Sequence, residues 1–160
     1  MPPYVSFIVL ACVAAFWSVT GIVKNRKDAP LRAEALAQPV QWSDSVRVQV
    51  WDRAFGLPWG SSTGPVRLNV RGGYIELTGT FPASAAMGFR WYFRSFDIRV
   101  QMVRRIGALP LMRERVLLTG RSSGHDVRVL IWTWRNSRAI WDALVAAGAS
   151  PDGPPPGGYT

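Results

Sequence analysis

The feature that most constrains this chain is an uncharged run near its start. No charged side chain occurs from Tyr4 to Val23, and the run is followed at once by Lys24-Asn25-Arg26-Lys27. Twenty mainly apolar residues in a helix extend about 30 Å, the thickness of the hydrocarbon core of a bilayer. The sequence therefore predicts a transmembrane anchor and basic stop over residues 1–27.

A cleaved secretory signal is the alternative interpretation of this run. Such a signal has a positive start, an apolar stretch of about 7–15 residues and a small-x-small cleavage site soon afterwards. The one passable site, Ala35-Leu36-Ala37, lies beyond a charged segment. We therefore favour an uncleaved anchor. A secreted binding protein is the alternative if the run is a signal peptide.

The charges beside the run predict its orientation. Lys24, Arg26, Lys27 and Arg32 all lie on its C-terminal side, and basic residues next to a span favour the cytoplasmic side. We expect a single-pass cell membrane protein with its N-terminus outside and its C-terminal domain in the cytoplasm. The only cysteine, Cys12, lies inside the run, so no intramolecular disulfide can form.

The residues after the anchor change from helical to strand patterns. Asp28 to Gln38 favours a short helix, with Pro30 in its first turn and Pro39 at its end, within a juxtamembrane linker of residues 28–44. Alternation of apolar and polar residues then predicts strands, with turns at Gly72-Gly73 and at Arg121 to His125. The predicted strands are Ser45–Trp51, Val66–Arg71, Tyr74–Thr78, Phe89–Phe93, Phe96–Met102, Arg115–Gly120 and Asp126–Trp134.

Near the C-terminus the apolar residues recur with the period of a helix instead of that of a strand, which predicts one amphipathic helix. Asn136 or Ser137 can cap it, and Gly148 can end it in a left-handed conformation. Its apolar face comprises Ala139, Ile140, Ala143, Leu144 and Ala147. The fold class is therefore mainly β: a small bent sheet or barrel of about seven antiparallel strands over residues 45–149, capped by one C-terminal helix. The Pro- and Gly-rich tail, residues 150–160, is predicted to be disordered.

The order of these elements resembles a known family. Seven strands and then a helix ending in Ile140–Gly148 look like the pleckstrin-homology-like (PH-like) superfold, in its bacterial and GRAM-type forms. The segment Phe93–Ile98 resembles the entry to a central strand of such domains, and Val116–Trp134 is similar to their closing hairpin. The resemblance covers roughly Val46 to Ala149, and it implies a domain that binds lipids, peptides or other proteins.

Catalytic chemistry is not favoured by the sequence. The chain has one histidine, no cysteine outside the anchor and scattered acidic residues, so we predict no enzyme, no catalytic residues, no metal site and no cofactor. Ser122, Ser123, His125 and Asp126 include the residue types of a catalytic triad. Neighbouring positions on a hairpin turn cannot easily align them.

Two groups of residues are candidate binding sites. The chain carries 19 basic against 10 acidic side chains, which favours attraction to anionic lipid. Arginines beside the apolar stretch 106–112 suit contact with a membrane surface, and two tryptophans on the last strand would form an apolar patch for a partner. The basic candidates are Arg104, Arg105, Arg113 and Arg115, and the aromatic ones are Trp132 and Trp134.

From these observations we predict a membrane-anchored, non-catalytic binding or scaffold protein. Its cytoplasmic PH-like domain would engage membrane-associated protein partners, or copies of itself, at the inner leaflet. The alternative is binding of anionic phospholipid head groups by the arginines. We expect no specific nucleic-acid partner.

Overall fold

The structure is a computed structural model in which a long helix leads into a curled sheet and a short second helix. It describes residues 3–52, 59–80, 89–103, 115–132 and 137–153, with only the backbone given for Pro3, Trp17, Thr20, residues 59–64 and Trp132. The elements are α1 (Pro3–Leu36), β1 (Val40–Asp52), β2 (Trp59–Arg71), β3 (Tyr74–Gly79), β4 (Arg90–Arg94), a 3-10 turn (Ser95–Asp97), β5 (Arg99–Val103), β6 (Arg115–Ser122), β7 (His125–Trp132), α2 (Ser137–Ala146) and β8 (Ser150–Asp152). The predicted mainly β fold class is confirmed.

Helix α1 contains the apolar run and extends well beyond it. Its 34 residues correspond to about 51 Å at the usual helical rise. By length and composition α1 is a candidate membrane span, with a mean hydropathy of 2.2 over its most apolar window and only 6% of that window buried. The exposed apolar side chains suit a lipid environment rather than a protein core.

Helix α1 continues through Pro30, where the sequence predicted that a separate short helix would start. A proline inside a helix loses one hydrogen bond and crowds the carbonyl four residues earlier. Residues on both sides of it, Asp28 and Ala35, are buried at 3% and 0% exposure, so packing holds the two halves in line. The predicted linker of residues 28–44 is thus not a free spacer: its helical part packs on the domain and Val40 already belongs to β1.

The described strands form one sheet in the order β4-β3-β2-β1-β7-β6-β5-β8. Neighbours pair antiparallel except β5 and β8, which are parallel. Strand β4 nevertheless contacts β6, so the sheet curls around its core. Gly120 allows this approach, since a Cβ there would lie 3.1 Å from Ile98 Cγ1 and 3.4 Å from Phe93 Cδ1.

The core follows the alternation read from the sequence. The inward residues of β1, β2 and β7 are almost fully buried, and α2 adds apolar residues at one end of the sheet. Burial of such side chains stabilises by about 1.5–3 kcal/mol each. They include Val46, Val48, Val50, Val66, Leu68, Val70, Val129, Ile131, Ile140 and Leu144.

Both predicted hairpin turns are confirmed, the first at Gly72-Gly73 as predicted and the second with narrower limits. Gly73 has a φ of 77°, a value that glycine adopts without strain. The second turn is Ser123-Gly124, with φ values of 55° and 80°. Ser122 and His125 pair with each other as the last residue of β6 and the first of β7.

The predicted strand Phe96–Met102 is wrong at its start. Phe96 lies in the 3-10 turn and is 66% exposed, whereas Ile98 and Val100 are buried as expected. The Ser95 N–H donates to the Gly73 carbonyl at 2.9 Å and the Ile98 N–H to the Ser95 carbonyl at 3.1 Å. These bonds turn the chain before β5 begins, so the alternation does not extend to Phe96.

The C-terminal helix is confirmed, while the start of the tail differs from its prediction. Gly148 has a φ of 102° and its N–H donates to the Val145 carbonyl at 2.9 Å. Residues 150–152 were predicted to be disordered, but they form β8, and the Ser150 N–H donates to the Ile98 carbonyl at 2.9 Å. The free edge of β5 offers backbone groups that need partners. Residues 154–160 lie outside the described part.

Candidate functional site

Most of the predicted binding residues lie where the structure gives no description of them. Arg104, Arg105, Arg113 and Trp134 are outside the described residues, and only the backbone of Trp132 is given. Arg115 starts β6 opposite Val103 and is half-buried. The arginine surface and the tryptophan patch therefore stay predictions.

A different arrangement is described where α1 meets the sheet, which we call the junction. Helix α1 packs against β3 and β4, and Lys24 on this helix also meets Asp52 at the end of β1. The Lys24 ammonium is 3.6 Å from Asp52 Oδ2 and 4.1 Å from the centre of the Trp91 ring. Trp91 Nε1 donates to the same carboxylate at 3.2 Å. Lys24 is thus a docking residue, only 8% exposed.

The next turn of α1 carries a second contact with the sheet. The Ser123 hydroxyl donates a short hydrogen bond to Asp28 Oδ1, which ties the helix to the β6–β7 turn. Gly21, one turn before Lys24, is buried as well. The contact between helix and domain therefore begins within the last turn of the apolar run, and the domain adjoins the predicted bilayer surface.

A third contact lies at the far end of α1. Arg94 donates to Glu34 Oε2 at 3.0 Å, and the Tyr74 hydroxyl donates to the same oxygen at 3.0 Å. The hydrogen bond to Glu34 raises the pKa of both Arg94 and Tyr74. Because these groups are solvent-exposed, we regard this cluster as positioning the helix rather than as a large source of stability.

A buried carboxylate on β3 connects this end of the helix to the sheet. Burial acts to raise the pKa of Glu76, but hydrogen bonds from Asn69 and Thr78 and the neighbouring Arg71 guanidinium outweigh it, and the pKa is lowered. Arg71 Nε and Nη2 donate to Glu76 Oε2 at 3.2 Å, and its Nη1 donates to the Gln38 carbonyl at 2.7 Å. Arg71 therefore links the residues just after α1 to β3, the second strand from one end of the sheet.

A cleft of about 450 Å³ lies between α1, the 3-10 turn and the β6–β7 turn. Three basic side chains, Lys27, Arg94 and Arg121, and three acidic ones, Asp28, Glu34 and Asp97, line it together with Pro30, Leu31, Ser123 and Gly124. The cleft is therefore balanced in charge, and it opens within one helical turn of the docked Lys24.

The junction has the features of a binding and positioning site. Among the described residues, no group of three or more His, Cys, Asp or Glu side chains is placed to hold a metal ion. Its carboxylates are engaged by Lys24, Ser123 and Arg94. What this arrangement does is hold a folded domain against the end of an apolar helix.

Sequence reasoning missed the junction because it assigned Lys24 only to the basic stop. The sequence nevertheless contained a pattern that indicates this contact. Gly21, Lys24, Asp28, Leu31 and Ala35 are spaced as the residues of one helix face, and the structure shows all five buried or half-buried. A continuous face that crosses from the apolar run into the charged segment indicates a helix that packs on its own domain.

Comparison with known protein families, with characterised proteins and with solved structures returned no match.

Proposed function

We propose that this chain is a single-pass membrane protein that acts as a non-catalytic scaffold, with its β domain held at the cytoplasmic surface of the cell membrane. The domain is proposed to be PH-like, and its ligand is a membrane-associated protein or a second copy of the chain. The observation that carries the proposal is the uninterrupted α1, whose apolar half is exposed and whose polar half is docked on the sheet.

The docked helix supports a scaffold because it limits how the domain can turn. A domain on a flexible linker would sample many orientations, whereas contacts at Lys24, Asp28 and Glu34 fix it along about 15 Å of helix. A domain with a fixed orientation presents the same surface to every neighbour in the bilayer. Such pre-organisation lowers the entropic cost of binding a partner that is itself confined to the membrane.

Crosslinking from native membranes tests this proposal. A photo-crosslinking residue would be placed in the full chain at Phe96, which is 66% exposed, and at Arg128, which is exposed on β7. We expect crosslinks to one membrane protein, or to a second copy, from at least one position. The variant D52N, which leaves the buried Lys24 without its anionic partner, should keep the anchor but loosen the docking of the domain, and should weaken these crosslinks. Crosslinks to no protein at either position would contradict the scaffold proposal.

The proposed topology is tested separately. A reporter after Thr160 should behave as cytoplasmic, and protease added to intact cells should leave the domain uncut, because the basic residues follow the apolar run. Digestion of the domain in sealed cells would contradict the inside orientation. The alternative function, binding of anionic lipid by Arg104, Arg105, Arg113 and Arg115, predicts binding to phosphatidylserine vesicles that weakens as salt increases.

A further inference from the structure

The junction cleft lies at the depth of lipid head groups if α1 spans the membrane. Lys27 is four residues, or about 6 Å of helix, beyond Val23 at the end of the apolar run. Each head-group layer of a bilayer is about 5–8 Å thick. The end of the cleft that contains Lys27 is therefore level with the phosphates of the surrounding lipids.

Two charged groups of the cleft are left available for a ligand. Asp28 is bonded to Ser123 and Glu34 is paired with Arg94, so these acids are already engaged. Lys27 and Asp97 form no ion pair or hydrogen bond with the described residues. Arg121 pairs with Asp126 at 3.3 Å, but both side chains are at least 70% exposed, and such a pair is easily exchanged for another partner.

The charged groups left for a ligand, Lys27, Arg121 and Asp97, match the phosphate and the ammonium group of one kind of lipid head group. A phosphate suits Lys27 and Arg121, since both donate charge-assisted hydrogen bonds to its oxygens. An ammonium group with N–H donors suits the Asp97 carboxylate, which lies on the 3-10 turn and also lines the cleft. Because equal numbers of basic and acidic side chains line the cleft, it does not attract a lipid with net negative charge more than a zwitterionic one. Leu31, half-buried in the wall, offers an apolar contact for the carbons between the two charges.

We propose that the junction cleft binds the head group of a phosphatidylethanolamine-type lipid, with Lys27 and Arg121 on the phosphate and Asp97 on the ammonium group. This inference rests on the membrane anchoring in the proposed function, but not on a protein partner. The bound lipid would add its own contacts to those that hold the domain on α1. The lipid would then be a structural component of the junction.

The test uses the full chain in nanodiscs of phosphatidylcholine that contain either phosphatidylethanolamine or phosphatidylglycerol, with bound lipids identified by native mass spectrometry. We expect retained phosphatidylethanolamine in the wild type. K27Q should reduce its occupancy about tenfold, as expected for the loss of a charge-assisted hydrogen bond, and K27R should restore it. D97N should remove the preference over phosphatidylcholine.

Matched controls separate the cleft from general charge effects. R26Q removes an equal charge at the same depth from an exposed position that does not line the cleft, and D152N removes an exposed acid elsewhere. Both should retain the lipid. Equal losses in R26Q and K27Q, or preferential retention of phosphatidylglycerol, would overturn the proposal.

Two further outcomes are informative. Free O-phosphoethanolamine or inorganic phosphate should displace the lipid poorly, because neither has acyl chains in the bilayer. Binding of either one as tightly as the lipid would contradict the proposal that the ligand is a membrane lipid. A chain that does not enter nanodiscs overturns the anchor and this inference together, whereas a chain that enters and retains no selected lipid overturns this inference alone.

Discussion

Replacing Asp52 by Asn should loosen the docking of α1 on the sheet. The variant keeps an oxygen that can accept the Trp91 N–H bond, but it removes the negative charge 3.6 Å from Lys24. Removing one partner of a buried ion pair costs about 3–5 kcal/mol. The Asp52 side chain is 14% exposed, and the Trp91 ring still faces the ammonium. We therefore expect a cost just below this range, about 2–3 kcal/mol, or a factor of about 30–150 in the docking equilibrium.

Hydrogen exchange of the full chain in nanodiscs measures this change directly. Amides of residues 24–38 should lose protection in D52N, while amides of β6 and β7 should keep it, because local opening of the helix does not require unfolding of the sheet. K24M/D52L should recover much of the loss, since two apolar side chains leave no buried charge. The matched control is D44N, which alters a carboxylate of the same strand far from Lys24. Unchanged protection of residues 24–38 in D52N would refute the view that this pair holds the helix.

Two further predictions concern the sheet. Because the pKa of Glu76 is lowered in the folded protein, its ionised form adds stability above the ordinary carboxyl pKa, and this stability is lost as the pH falls through the lower folded value. In thermal denaturation, E76Q should therefore lower the free energy of unfolding at neutral pH by about 1–2 kcal/mol. This difference from wild type should shrink below about pH 4. A difference independent of pH would contradict this reasoning. G120A should cost about 1–3 kcal/mol, because the new methyl group meets Ile98 at 3.1 Å; denaturation that matches wild type would show that β5 can move away freely.

The sequence predicted the elements that local patterns encode. Alternation of apolar residues located the buried faces of β1 and β7, and the helix period located α2 with Gly148 at its end. These predictions succeeded because period and propensity act between residues that are close in the chain. Element limits were less accurate. Both β1 and β2 begin several residues earlier than predicted, since pairing to a neighbouring strand can extend a strand where its own pattern is weak.

Local patterns failed where a distant segment supplied the partner. Phe96 alternates correctly with Ile98 and Val100, yet a hydrogen bond from Ser95 to Gly73 turns it outward. The residues of β8 have a composition typical of a disordered tail, but the open edge of β5 supplies their backbone partners. In both cases the decisive contact is made with a strand that the local sequence does not identify.

The junction shows most clearly the difference between features that neighbouring residues encode and features that depend on distant contacts. The sequence by itself determined that the chain begins with a helix apolar enough for a membrane, and that a mainly β domain follows, because hydropathy and alternation are properties of single segments. Only the tertiary structure decided that the two pack against each other. The bond between Asp28 and Ser123 connects residues 95 positions apart, and Lys24 meets Asp52 and Trp91 only because the sheet brings β1 and β4 to the helix. Such pairs depend on how the chain returns in space, which the neighbouring residues do not specify.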